Sequence, residues 1–127
     1  MAGPTYVYDA PFTAASALTQ FTWVKFSADE AVTAVTAATD RVVGVVQQPV
    51  VAADVNKQAV DVRVVGISKV KVGTGGVTRG FDVNIDAAGL AVAPGAAGTI
   101  SRGIAMQTGV AGDLVDVFLT PNGRVQF

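Results

Sequence analysis

Apolar and polar residues alternate with a period of two through much of this chain, which is the signature of half-buried β-strands. Residues 21–26 place Phe21, Trp23 and Lys25 on one face and Thr22, Val24 and Phe26 on the other. Residues 59–65 set Val60, Val62 and Val64 opposite Asp61 and Arg63. That spacing suits an Asp61–Arg63 pair on the wet face, worth about 0–1 kcal/mol. Residues 68–72 repeat the pattern with Lys69 and Lys71 outward, as expected of an edge strand protected against foreign pairing. Residues 41–47 form a continuous apolar run, the pattern of a strand buried on both faces.

Turn chemistry divides the remainder. Residues 81–85 and 90–92 flank Asp86-Ala87-Ala88-Gly89, whose leading Asp and trailing Gly predict a type I hairpin turn. Residues 99–107 and 113–119 supply two further strands, and Pro121-Asn122-Gly123 predicts a turn into a short tail. The Ser27-x-x-Glu30 spacing matches a helix capping box. Against a helix, Val32, Thr33, Val35, Thr36 and Thr39 are β-branched, so a turn over 27–30 and a strand over 31–37 are expected. Gly44, Gly66 and Gly103 each interrupt a strand just before Val or Ile. Glycines so placed mark bulges or sharp bends, which predicts a small closed or nearly closed barrel.

Residues 1–20 lack any sustained period. Tyr6, Tyr8 and Phe12 lie there among Pro4, Pro11 and small residues. One reading is a frayed terminus. The other is an extended arm whose aromatics dock on a neighbouring chain, followed by a β-rich domain over 21–127.

Composition sharpens this picture. The chain has 127 residues, the size of one domain, with 24 Val, 21 Ala and only four Leu, a balance that favours strands. It contains no Cys and no His. No disulfide framework, zinc site, thiolate nucleophile or histidine base is therefore expected. The net charge is −1 with charges spread singly, so no basic stripe exists for nucleic acid. No apolar stretch reaches the length of a membrane span, and no secretory leader is visible, so synthesis in the cytoplasm as a soluble chain is expected.

Candidate chemistry is sparse. Ser68 and Lys69 are adjacent in a strand and point to opposite faces, which rules out a working dyad. The segment Gly73-Thr74-Gly75-Gly76-Val77-Thr78-Arg79-Gly80 has Thr78 where a dinucleotide loop needs Gly, and no Gly-Lys-Ser/Thr follows. The pairs Asp82/Asp86 and Asp113/Asp116 are too thin for a calcium loop and suit turns better. Trp23 is read as core, with a stacking platform for a sugar or base as the alternative. No catalytic residue, cofactor or metal site is expected.

The strand-and-turn wording nevertheless resembles one family. The segments are 24–29, 38–47, 59–67, 78–83, 86–89, 102–105 and a closing Gly112-Asp113-Leu114-Val115-Asp116-Val117-Phe118-Leu119. In this order they resemble the bacteriophage capsid decoration, or head cement, proteins. That resemblance implies a small all-β sandwich or barrel-like domain on the outer face of a phage head. There it would clamp neighbouring major capsid subunits, commonly as a homotrimer, with no direct nucleic-acid or membrane binding. Candidate partner-binding residues are Tyr6, Tyr8 and Phe12 in the arm and Lys69 and Lys71 at the strand edge. Deleting residues 1–20 is then expected to weaken attachment while leaving the β-domain folded. The competing expectation is a glycan- or ligand-binding β-barrel module built around Trp23.

Overall fold

The computed structural model describes residues 7–93 and 100–125, with the side chains of residues 100 and 121–125 outside the description. Its first half is a closed five-stranded barrel: β1 (Tyr8–Ala14), β2 (Trp23–Ala28), β3 (Ala31–Ala34), β4 (Gly44–Val46) and β5 (Ala59–Val65). The strand order is β1-β3-β2-β4-β5, antiparallel throughout except for the parallel β1–β3 contact. One 3-10 turn, Ala52–Asp54, interrupts the β4–β5 connection. The second half is a five-stranded sheet of β6 (Ile67–Lys71), β7 (Asp82–Ile85), β8 (Ala91–Val92), β9 (Ile100–Ala105) and β10 (Leu114–Val125), ordered β6-β10-β9-β7-β8.

Strand alternation sorts the side chains into two cores. Val24, Val32, Val46, Val60 and Val62 fill the barrel with Ala14, Leu18 and Val50. Trp23 and Val45 point the other way, off the barrel wall, and join Val70, Val83, Ile85, Val115 and Val117 from the second sheet. Neighbouring residues of β2 and β4 therefore serve different cores, which is why residues 41–47 read as apolar on both faces. Gly66 carries a φ of 106° between β5 and β6 and turns the chain from barrel to sheet. At Gly44 and Gly103 the glycines serve close approach instead, since a Cβ there would strike the Arg63 and Phe118 carbonyls respectively.

The hairpin expected at 86–89 is present and holds the two halves together. The Asp86 Oδ1 accepts the Ala88 and Leu90 amides at 2.9 and 3.0 Å, and Gly89 sits at φ 76°. The Gly89 carbonyl then accepts the Trp23 amide at 3.1 Å.

Four expectations need correction. Tyr8–Ala14 is no detached arm: it pairs with β5 along its length and with β3 at Thr13 and Ala14. Alternate residues of this strand face the barrel, but Pro11 and small side chains hide that period. The strand expected over 31–37 stops at Ala34, because Asp40 folds the following residues into a turn by accepting the Thr36 and Ala37 amides. Residues 121–123 form no turn into a tail; β10 runs through them, with the register shifting between Leu119 and Arg124. A bulge of this kind accepts Pro and Gly because its ladder bonds are already broken. Finally, Arg63 does not pair with Asp61. It grips Asp9, directly opposite on β1, through Nε and Nη2 at 2.8 and 3.1 Å.

Asp40 makes a testable electrostatic hinge. The Thr36 amide, the Lys25 ammonium at 3.0 Å and the Ala37 amide hold its carboxyl far below the ordinary value of 3.8. Arg102, 4% exposed on β9, donates to the Asp40 and Ala38 carbonyls and ties this turn to the second sheet. A carboxyl depressed in the folded state contributes stability above its unfolded value and loses it as pH falls through the folded one. Acid titration of the fold, followed by circular dichroism, should therefore show stability falling below about pH 4. The Asp40→Asn variant should be less stable at pH 7 and lose less on acidification; an unchanged acid profile would remove Asp40 from this role.

Candidate partner-binding surfaces

The sequence-derived candidates fall in three places. Tyr6 lies outside the described residues. Tyr8 is 60% exposed at the start of β1, opposite the exposed Val65 of β5. Phe12, in contrast, is half-buried: it packs against the barrel core and meets Phe26 edge-on, with ring centroids 5.4 Å apart. Lys69 and Lys71 do lie on an edge strand, since β6 borders the second sheet. Phe12 and the lysines thus belong to different surfaces.

The lysines share their face with apolar side chains that sequence reasoning passed over. Cross-strand register sets Lys71 against Leu114, Lys69 against Asp116 and Ile67 against Phe118, and continues from Phe118 to Ile104. Leu114 and Phe118 are both about half exposed, as is Met106 beyond β9. Side chains two apart on a strand are about 7 Å apart, so Phe118, Ile67, Ile104 and Met106 cluster, while Leu114 lies about 13 Å from Phe118 across the Lys69–Asp116 pair, itself 3.8 Å across. A signal existed: residues 114–119 are apolar on both faces except at Asp116, yet a two-layered domain covers only one of them. Half-exposed Phe, Leu and Met on an uncovered sheet face offer apolar area to a partner.

The second surface is an open groove of about 640 Å³ where the β2–β3 turn passes the barrel rim. Phe12 and Phe26 floor it, and Ser27, Ala28, Asp29 and Glu30 line its wall. A smaller groove continues from Phe12 and Glu30 past Pro11, Thr13 and Ala59. The register shift between Phe26 and Ala28 bends the strand here, and Phe26 is left 56% exposed. Among the described residues, the Asp29 and Glu30 carboxylates have no ion-pair partner.

Pro11 explains why the rim is safe. Thr13 and Ala15 send their amides toward β3 and its turn, whereas Ala14 sends its amide toward β5. Pro11 shares the outward parity of Thr13 but lies beyond the β1–β3 contact, where an amide would be left as a free edge donor. Proline has none, and so blocks strand addition there.

Side chains weighed and set aside for chemistry are otherwise engaged. Trp23 is fully buried, as its core reading expects, so it offers no stacking platform for a sugar or base. Asp86 and Asp113 cap turns, and Asp82 accepts from Ser101 at 3.1 Å. The glycine-rich segment 73–80 is a loop into β7 in which Gly75, Gly76 and Gly80 have positive φ. Among the described residues, no group of three acidic side chains is placed to hold a metal, and no helix is long and apolar enough to cross a membrane.

Comparison with known proteins follows the same lines. No family model matches the chain, and no curated protein matches it. Among solved structures, the base of the head fiber gp8.5 of bacteriophage phi29 superposes with a TM-score of 0.71 at 16% identity. The match covers 96% of this chain and 98% of that one, barrel and second sheet together. The chain therefore has the fold of a phage head fiber base along nearly its whole length.

Proposed function

We propose that the chain is a structural virion protein that binds the outer face of a phage head and stabilises contacts between major capsid subunits. The observation that carries this reading is the whole-length fold likeness to a head fiber base, in a chain without Cys or His. The half-exposed Phe118 and Met106 support it, because they offer contact area in place of reactive groups. In this reading the protein is no enzyme, carries no cofactor, and works as a homo-oligomer, with a trimer as the expected form. Repetition over a symmetric shell makes modest single contacts sufficient, since each bound site raises the effective concentration of the next. A glycan-binding module is the weaker reading, because Trp23 is unavailable for stacking.

The experiment is to add purified protein to heads assembled without it and to measure both co-sedimentation and resistance to heat. Bound protein and a higher rupture temperature are expected. Deleting residues 1–20 is not a suitable control, since it removes β1 and opens the barrel. Tyr8→Ala and Phe118→Asp leave the strands intact and are expected to weaken binding about tenfold or more, the loss typical of interface anchors.

A further inference from the structure

Two surfaces of this chain are chemically complementary yet too far apart to satisfy each other. The groove at the barrel rim has an aromatic floor, Phe12 and Phe26, and an acidic wall, Asp29 and Glu30. The edge of the second sheet presents a cation beside an apolar side chain, Lys71 directly opposite Leu114. Lys69 faces Asp116, whereas Lys71 has no ion-pair partner among the described residues.

Their separation follows from the path of β2. The Lys71 amide donates to the Phe21 carbonyl at 3.0 Å, so that edge lies beside the start of β2. From Trp23 the strand runs away to Ala28 at the groove, about 16 Å at the usual rise per residue. A lysine side chain cannot cover that distance along the barrel wall. The acidic wall and the lysine edge therefore do not pair within one copy.

We propose that these two surfaces bind each other between copies of the chain. The Leu114 side chain of one copy seats on the Phe12–Phe26 floor of the next, and Lys71 reaches the Glu30 and Asp29 carboxylates. Opposite charge across such a contact fixes its orientation and excludes the like-charged alternatives, groove on groove or edge on edge. The contact is heterologous: each copy contributes its groove to one neighbour and its edge to another, and the assembly closes into a ring when the rotation allows. Pro11 denies the competing route, strand addition at the barrel rim. This deepens the homo-oligomer element of the reading above by naming the surfaces that meet.

Charge exchange tests it in solution, without heads. In sedimentation-velocity runs the wild type is expected to self-associate. Glu30→Lys and Lys71→Glu should each weaken association at least tenfold, and the E30K/K71E double variant should recover it. Mixing the two single variants should yield complexes that neither forms alone, since each retains one intact surface. Circular dichroism establishes that every variant is folded, and the milder Glu30→Gln and Lys71→Gln serve where it is not. A wild type that stays monomeric, single variants that associate normally, or a double variant as dissociated as its parents would each overturn the proposal. Head binding is measured separately: a failed exchange with heads still decorated removes only this contact, while a successful exchange with bare heads removes the virion reading instead.

Discussion

Trp23→Ala should cost about 3–5 kcal/mol, a large share of the stability of a domain this size. Trp23 is fully buried where the barrel wall meets the second sheet, in the core with Val45, Val70, Val83 and Val117. Truncation leaves a cavity lined from both halves, and neither can close it without breaking its own strand pairing. Its backbone also receives the 86–89 hairpin, so the ring and the Gly89 contact hold the same junction. The indole Nε1 has no hydrogen-bond partner among the described residues. Trp23→Phe therefore loses volume but relieves a buried orphan donor, and should cost only about 1 kcal/mol. Urea unfolding followed by circular dichroism separates the two variants. Equal costs would mean that the junction does not depend on ring volume.

Gly44→Ala should be nearly as damaging, at about 3 kcal/mol or more, although it adds one methyl group. A Cβ at Gly44 is driven into the Arg63 carbonyl, which belongs to the β4–β5 ladder and cannot swing aside as a side chain would. Gly75→Ala is the informative comparison. It has no neighbour within 4 Å but sits at φ 93°, so it carries only the conformational penalty of about 1 kcal/mol. Thermal melts of both variants should show Gly44→Ala melting well below Gly75→Ala. The reverse order would place the constraint in backbone conformation instead of close approach.

These glycines show how far the sequence could be read. Repeated Gly before Val or Ile indicated a closed barrel, and the barrel is there, yet only Gly66 turns a corner. Whether a glycine bends the chain or lets two strands touch depends on what lies opposite, and spacing carries no record of that. The Lys69/Lys71 alternation located an edge strand correctly because lysines at an edge serve a local purpose. β1 was missed for the converse reason: its pairing with β5 joins residues about fifty positions apart, and its own stretch holds Pro11 and small residues. The Asp9–Arg63 grip was invisible on the same ground. The contact surfaces were half legible. Leu114 and Phe118 stood in an apolar strand, but only the two-layer architecture shows that their face is uncovered. Phe26, Asp29 and Glu30 meet Phe12 solely through barrel closure.

The virion reading rests finally on whether surfaces like these hold the chain to a shell. Quantitative co-sedimentation with heads assembled without the protein measures that directly. Binding should saturate at a fixed, symmetry-compatible number of copies per head, and Phe118→Asp should reduce it with the fold intact. Wild-type protein that remains in the supernatant at every concentration, beside intact heads, would contradict the account.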